Sequence, residues 1–334
     1  MNLLNTPLTV GKIELPNRLV MPPMATEKST ETGEVTEKLC EHYAARTKGG
    51  YLGLLFTEHS FISPDGKASK RQLSLSEDKN VAGLKKLVAS IHQDNTLVFA
   101  QINHAGGYTK REITGHELIS ASSVQMPGAE PADKLPKAMT QADIQKVVDD
   151  FARAAVRAKK AGYDGVEIHS AHGYLLNQFF SPLTNKRNDQ YKGTTIAGRI
   201  HLHLEVIQAV RKAVGADYPL SLRLGASDYM EGGTTVQDSV AAAKEFEKAG
   251  VNLLSISGGF CRFNRPGVKK PGYFSELSEA IKKAVHIPVI VTGGVAKAAD
   301  AEKLLEDQKA DLIGVGRALL KDPEWAKAAI QSLK

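Results

Sequence analysis

The densest chemistry in this sequence lies in VEIHSAHGYLLNQFFSPLTNKRNDQY, residues 166–191, where His169 and His172 stand three apart and Tyr174 follows two further on. Three readings compete. An H-x-x-H pair can bind a metal, but it needs a third ligand and outer partners, and no Glu or His follows at a fitting spacing. Two satisfied core histidines are the plainer alternative. The third is a pair of N–H donors gripping a carbonyl oxygen beside a phenol that delivers a proton; such donors polarise the carbonyl and stabilise a developing enolate. Two histidines and a tyrosine together at the end of a strand favour this third reading.

A second constellation closes the chain. IPVIVTGGV ends in Gly293-Gly294, and DLIGVGRALLKDP carries Gly316-Arg317. Glycine lets the backbone approach closely, its N–H groups receive an anion, and arginine adds a charge-assisted fork. One such turn means little; two in consecutive units point to a phosphate, belonging either to a cofactor or to a sugar-phosphate substrate. Arg223, inside the apolar run LSLRLGAS, must face a carboxylate or an anionic ligand, because an unpaired buried guanidinium is costly. Gln101 in AQINHAG satisfies backbone groups or reads the edge of a heterocycle.

These residues need a frame that brings them together. Short apolar runs recur near Leu19–Met24, Gly53–His59, Thr96–His104, Gly165–Ser170, Leu220–Ala226, Leu253–Gly258, Pro288–Gly293 and Asp311–Gly316, each followed by a helix-length amphipathic stretch. In the clearest of these stretches, Ile144, Val147, Val148, Phe151, Ala155 and Ala158 form one face. Thr140 with Asp143 resembles a cap, and Ala161-Gly162 a stop. The last helix is expected to start with Asp322 as N-cap and Pro323 at its first position. Eight β-then-α units predict an α/β fold, a single-domain (β/α)8 TIM barrel over residues 1–334, with an open doubly wound sheet as the alternative. The barrel is favoured because it gathers the chemically capable strand ends on one face: Pro23-Met24, Glu58-His59, Gln101, His104, His169, Arg223, Ser257 and the two glycine turns. Residues 107–136, rich in Gly, Pro, Ser and Glu, are a candidate lid.

Composition excludes several classes. The net charge of +6 is scattered, with no dense basic block among aromatics, so nucleic acid is a poor partner. Two distant cysteines, Cys40 and Cys261, suit neither a disulfide scaffold nor an iron–sulfur cluster. No run approaches the ~18 apolar residues of a membrane helix, and the N-terminus carries no basic leader, so a cytoplasmic protein is expected. An exposed apolar helix face would support a homo-oligomer.

The stretches LPNRLVMPPMAT, QINHAGG, HSAHGYLLNQFFSPLTNKRNDQY, SLRLGASDYMEGG, TGGV and GVGRALLKDP, in this order over almost the whole chain, resemble the Old Yellow Enzyme family of flavin oxidoreductases. The resemblance implies FMN at the barrel mouth: Pro23, Met24 and Ala25 flanking the isoalloxazine, Gln101 on its pyrimidine edge, Arg223 by N1 and the C2 carbonyl, and Gly293, Gly294, Gly316 and Arg317 on the phosphate. His169 and His172 would bind the activating oxygen of a small enone-type or nitro-alkene substrate, Tyr174 would protonate it, and NAD(P)H would reduce the flavin. The sequence departs from relatives at Ala25, where Thr or Cys is usual, and at Glu27, where some carry Tyr. A phosphate-binding lyase or isomerase on the same barrel is the rival enzyme class, though no lysine lies in the eight strands to form a Schiff base. A non-catalytic flavin-binding barrel is the other rival.

Overall fold

The computed structural model describes residues 2–130 and 134–333. All eight expected strands form, as β1 (Leu19–Met21), β2 (Leu54–Phe56), β3 (Leu97–Asn103), β4 (Gly165–Ser170), β5 (Leu220–Gly225), β6 (Leu253–Ser257), β7 (Val289–Thr292) and β8 (Leu312–Gly314). Each pairs in parallel with the next, and β8 pairs with β1, so the sheet closes into a barrel and the open-sheet alternative falls away. The outer helices are α1 (Glu37–Thr47), α2 (Val81–His92), α3 (Gln141–Ala161), α4 (Ile196–Val214), α5 (Val236–Lys248), α6 (Ser275–Lys282), α7 (Ala298–Glu306) and α8 (Trp325–Ser332). A hairpin of Leu8–Val10 and Ile13–Leu15 precedes β1.

Period-two alternation sorts each strand between two cores. Outward residues such as Leu55, Val98, Val166, Ile168, Leu222, Leu254, Val291 and Ile313 pack into the large core beneath the helices. Inward residues change character along the barrel axis. At the N-terminal end, Val20, Leu54, Phe56, Phe99, Leu253, Ile290 and Leu312 form a separate apolar plug with Val10 and Leu15 of the hairpin. One layer higher, Gln101, Glu167 and Ser221 stand in register on neighbouring strands, and above them His169 faces Arg223. The barrel interior thus runs from hydrocarbon to ionisable groups within a few residues.

The α3 capping box forms: the Thr140 hydroxyl accepts the Asp143 N–H at 3.2 Å, and the Asp143 carboxylate accepts the Thr140 N–H at 2.8 Å. Gly162 stops the helix at φ 93°, a conformation that glycine reaches without a Cβ clash. The last helix corrects an expectation. Asp322 and Pro323 do not open it; the chain makes a short helix over Arg317–Lys321, turns, and starts α8 at Trp325. The Asp322 carboxylate still accepts the Glu324 N–H at 2.9 Å, so its capping chemistry is used in the turn that leads into the helix. The segment 107–136 carries a short helix, Arg111–Thr114, and strand Ile119–Ser120, which pairs with Lys137–Ala138.

Four large apolar side chains are exposed among the described residues: Leu135, Met230, Phe263 and Leu320. Phe263 and Leu320 line the cavity at the barrel mouth, and none of the four is on the long outer helices where an apolar face was expected. No described helix is long and apolar enough to cross a membrane.

Candidate active site

A cavity of about 860 Å³ opens at the C-terminal ends of the strands. Its lining includes every site residue named from the sequence: Pro23, Met24, Ala25, Gln101, His169, His172, Tyr174, Arg223, Gly293, Gly294, Gly316 and Arg317. Two other strand-end residues stay out of it. Glu58 turns away to accept the Thr26 N–H at 2.9 Å, and the His104 ring accepts the Gly106 N–H at 3.0 Å. The cavity also takes in His59, Ser257, Arg262, Phe263 and Tyr273, none of which the sequence reading assigned a role.

His169 stands one residue before the end of β4, and its ring centroid lies 5.1 Å from that of His172 and 5.2 Å from that of Tyr174. The chain reaches this arrangement through His172 at φ 61°, a left-handed conformation that costs energy for a residue with a Cβ and is typical of functional turns. Side chains of the motif and of the segments after it hold that turn and the chain that follows. Asn177 Oδ1 accepts the Gly173 N–H at 2.7 Å, while Gln178 donates to the Gly173 and Ala105 carbonyls and accepts the Gly107 N–H. Asn185 donates to the Phe179 and Tyr191 carbonyls, each at 2.8 Å, and Arg199 donates to the Phe180 carbonyl. Ser181 bonds Asp228, whose carboxylate also receives the Phe260 N–H and so fixes the loop after β6.

Burial holds both imidazoles well below the usual histidine range, helped at His169 by His172 and Arg223 and at His172 by Arg223 and Arg262. Near neutral pH each is therefore uncharged and carries one N–H. His172 Nε2 lies 2.7 Å from Ser257 Oγ, and His169 Nδ1 is buried without a partner among the described residues. Burial raises the Tyr174 phenol, with Arg262 opposing, so Tyr174 stays protonated. Among the described residues no group of three or more His, Cys, Asp or Glu side chains is placed to hold a metal ion.

Beneath these groups lies a buried charge pair that was half legible. Arg223 has its carboxylate, Glu167, on the neighbouring strand, but no hydrogen bond joins them, and Arg223 Nε is buried without a partner. Glu167 is instead bonded by Gln101 Nε2 and Ser221 Oγ, each at 2.8 Å, and burial pushes its pKa up to about 7 against the field of Arg223. Gln101 thus has a partner of its own while its amide still lines the cavity.

On the opposite wall, a Cβ at Gly293 would come within 2.7 Å of the Tyr273 ring, and Gly294 sits at φ 72°, so only glycine builds this turn. Bare backbone there, Arg317 nearby, the unsatisfied Arg223 and Thr292 hydroxyl, and the flat Pro23-Met24-Ala25 edge fit a planar heterocycle with a phosphate tail. Fold and cavity together define a TIM barrel whose mouth suits an aromatic, phosphate-bearing cofactor.

Comparison with known proteins narrows that class. A profile of the NADH:flavin oxidoreductase / NADH oxidase family matches residues 3–334. The chain is 40% identical to an NADH oxidase of Thermoanaerobacter brockii over 96% of its own length, and spans about half (49%) of that longer protein. It is 39% identical to an NADPH dehydrogenase of Geobacillus thermodenitrificans, covering 98% of this chain and 94% of that one. The structure superposes on the old yellow enzyme homologue of Zymomonas mobilis with a TM-score of 0.86 at 27% identity, over 98% of this chain and 92% of the other. The chain belongs to the NADH:flavin oxidoreductase / NADH oxidase family, in its Old Yellow Enzyme branch. The family's description is that of flavin oxidoreductases that use NADH, and FMN is the cofactor that the residues of this cavity would hold.

Proposed function

We propose that this chain reduces the activated C=C bond of α,β-unsaturated carbonyl or nitro compounds, with NAD(P)H as the source of electrons. The observation that carries the reading is the convergence of His169, His172 and Tyr174 in the same cavity as the two glycine turns. In this reading Pro23, Met24 and Ala25 flank the FMN ring, Gln101 and Arg223 serve its pyrimidine end, and Gly293, Gly294, Gly316 and Arg317 take its phosphate. Bound FMN supplies the hydride acceptor and donor that the side chains lack.

The protein's part is binding, orientation and proton transfer. His169 and His172, both neutral, donate N–H bonds to the substrate oxygen and stabilise the charge that builds there. Neutral donors suit the task, because they attract an enolate without trapping it as a buried ion pair. Ser257 holds the His172 ring in place. Tyr174, only 8% exposed and protonated, gives its proton to the α-carbon. The walls around it exclude the water that would otherwise compete.

Tyr174→Phe tests this directly in rapid-mixing experiments that separate the two half-reactions. Reoxidation of the reduced protein by cyclohexenone should slow by roughly 10²–10⁴-fold, the usual worth of a general acid. Reduction by NADH should change little. Equal slowing of both steps would contradict the proton-donor role.

A further inference from the structure

His59 follows β2 and extends the group of rings at the cavity, 5.4 Å from Tyr174 and 6.2 Å from His169 between centroids. Its protonation is settled by a chain of contacts behind it. Gln72 Oε1 accepts the Ala68 N–H at 2.6 Å, which fixes the orientation of the Gln72 amide. The amide nitrogen therefore faces His59, donating to its carbonyl at 3.0 Å and lying 2.7 Å from Nδ1. An amide nitrogen only donates, so Nδ1 is an acceptor and the proton of the neutral ring sits on Nε2.

Burial, with Arg223 and Arg262 nearby, lowers the His59 pKa to about 4, so the ring is neutral at physiological pH. Nε2–H has no hydrogen-bond partner among the described residues, and the ring lines the cavity. What sets His59 apart from core histidines such as His203 is that its ring borders an open cavity, where a ligand can reach the free nitrogen. Here one nitrogen is fixed by Gln72 and the other is left to the cavity. The nearest aromatic rings are those of Tyr174 and His169, which places the free donor beside the groups proposed to meet the substrate.

We propose that His59 is a third substrate-binding donor, locked by Gln72, and that it selects substrates with a second acceptor oxygen, as in cyclic ene-diones. The proposal rests on the reading of His169 and His172 as the first oxygen site. One carbonyl occupies that pair and the second, across the ring, accepts from His59 Nε2–H. The reaction remains balanced: hydride adds to one alkene carbon and the Tyr174 proton to the other. NAD(P)H becomes NAD(P)⁺, one solvent proton restores Tyr174, and the saturated dione leaves.

The test uses the FMN-loaded enzyme and two unreactive ligands, phenol and para-hydroxybenzaldehyde, which adds an acceptor oxygen across the ring; both are titrated through the visible flavin spectrum. His59→Phe should weaken the aldehyde about tenfold more than it weakens phenol, the upper range for one neutral hydrogen bond. His59→Gln, which keeps an N–H donor, should recover most of that difference. Long-range ¹H–¹⁵N spectra should show His59 protonated at Nε2, and Gln72→Leu should release that preference. Equal losses for the two ligands, or a proton on Nδ1 in the wild type, would overturn the proposal. So would a changed flavin midpoint potential with unchanged ligand selectivity, since that places His59 against the cofactor. Intact phenol binding in any of these cases leaves the proposed function standing. A wild-type protein that binds no phenol removes the His169–His172 oxygen site, and this proposal falls with it.

Discussion

The two ends of the barrel interior are built on opposite rules. At the N-terminal end, the hairpin and the first inward layers bury Val10, Leu15, Leu54, Phe99, Leu253 and Leu312 completely, with the Phe56 and Phe99 rings in an edge contact at 5.5 Å. Nothing there needs a ligand. At the C-terminal end, within about the same space, Arg223 Nε, His169 Nδ1, Thr292 Oγ1 and Arg262 Nε are all buried without partners among the described residues. Unsatisfied buried groups are costly, and all four of these belong to residues that line the cavity, where a ligand can meet them. The difference separates stability from chemistry along one axis: the plug holds the barrel shut, and the mouth spends part of that stability on polar groups awaiting a partner.

The largest expected effect breaks the plug. Phe99→Ala should cost about 3–5 kcal/mol, the usual range for emptying a buried aromatic site, seen as a lowered denaturant midpoint. Protein that remains folded should bind FMN normally; a loss of FMN affinity comparable to the loss of stability would show that the two ends are not separable. Next comes the mouth. Arg223→Met should weaken FMN binding by roughly ten- to a hundredfold, as for a lost hydrogen bond to a charged group. The apoprotein should lose little stability, because no hydrogen bond ties Arg223 to Glu167 and the carboxyl, already raised to about 7, can take up a proton once the positive charge is gone. Destabilised apoprotein with unchanged FMN affinity would make Arg223 a structural residue.

A smaller effect concerns acid. His203 stacks on Phe246 at 5.4 Å with Nε2 2.7 Å from Ser170 Oγ, and burial lowers its pKa to about 3. The unfolded chain, with an ordinary histidine near 6.5, binds this proton first. Stability from His203 is therefore full above about pH 6.5 and is lost as pH falls toward 3. Glu58 and Glu167, both raised to about 7, act with the opposite sign between about 4.5 and 7. The comparison of wild type with His203→Phe isolates the histidine: the variant's melting temperature should fall less between pH 6.5 and 4. An identical pH slope in the two proteins would remove His203 from the acid response.

Much of this was legible in the sequence, for reasons that differ between the two ends. The eight strands could be read because apolar β-branched runs alternate with helical periodicity, and α3 announced both of its ends through Thr140, Asp143 and Gly162. The mouth residues could be read because charged and glycine-rich strand ends are out of place in a buried sheet. Glu167 escaped notice because it is an isolated acid between Val166 and Ile168, and its relation to Arg223 appears only through strand register. His59 was read as a chemically capable strand end but given no role, because Gln72, which orients it, packs against it from a loop. Asn177, Gln178 and Asn185 belong to the most specific stretch of sequence yet hold backbone in place, so motif specificity here marks scaffold as much as chemistry. The hairpin plug was not read, because three-residue strands carry too little periodicity.

The central claim is that the polar mouth exists to hold FMN and pass electrons from NAD(P)H to an activated alkene. An anaerobic visible spectrum of the purified protein, followed through addition of NADH and then cyclohexenone, tests it most directly. A flavin band that bleaches with NADH and returns with cyclohexenone is the expected result. A protein that carries no flavin and takes up none when FMN is added would contradict the account at its root.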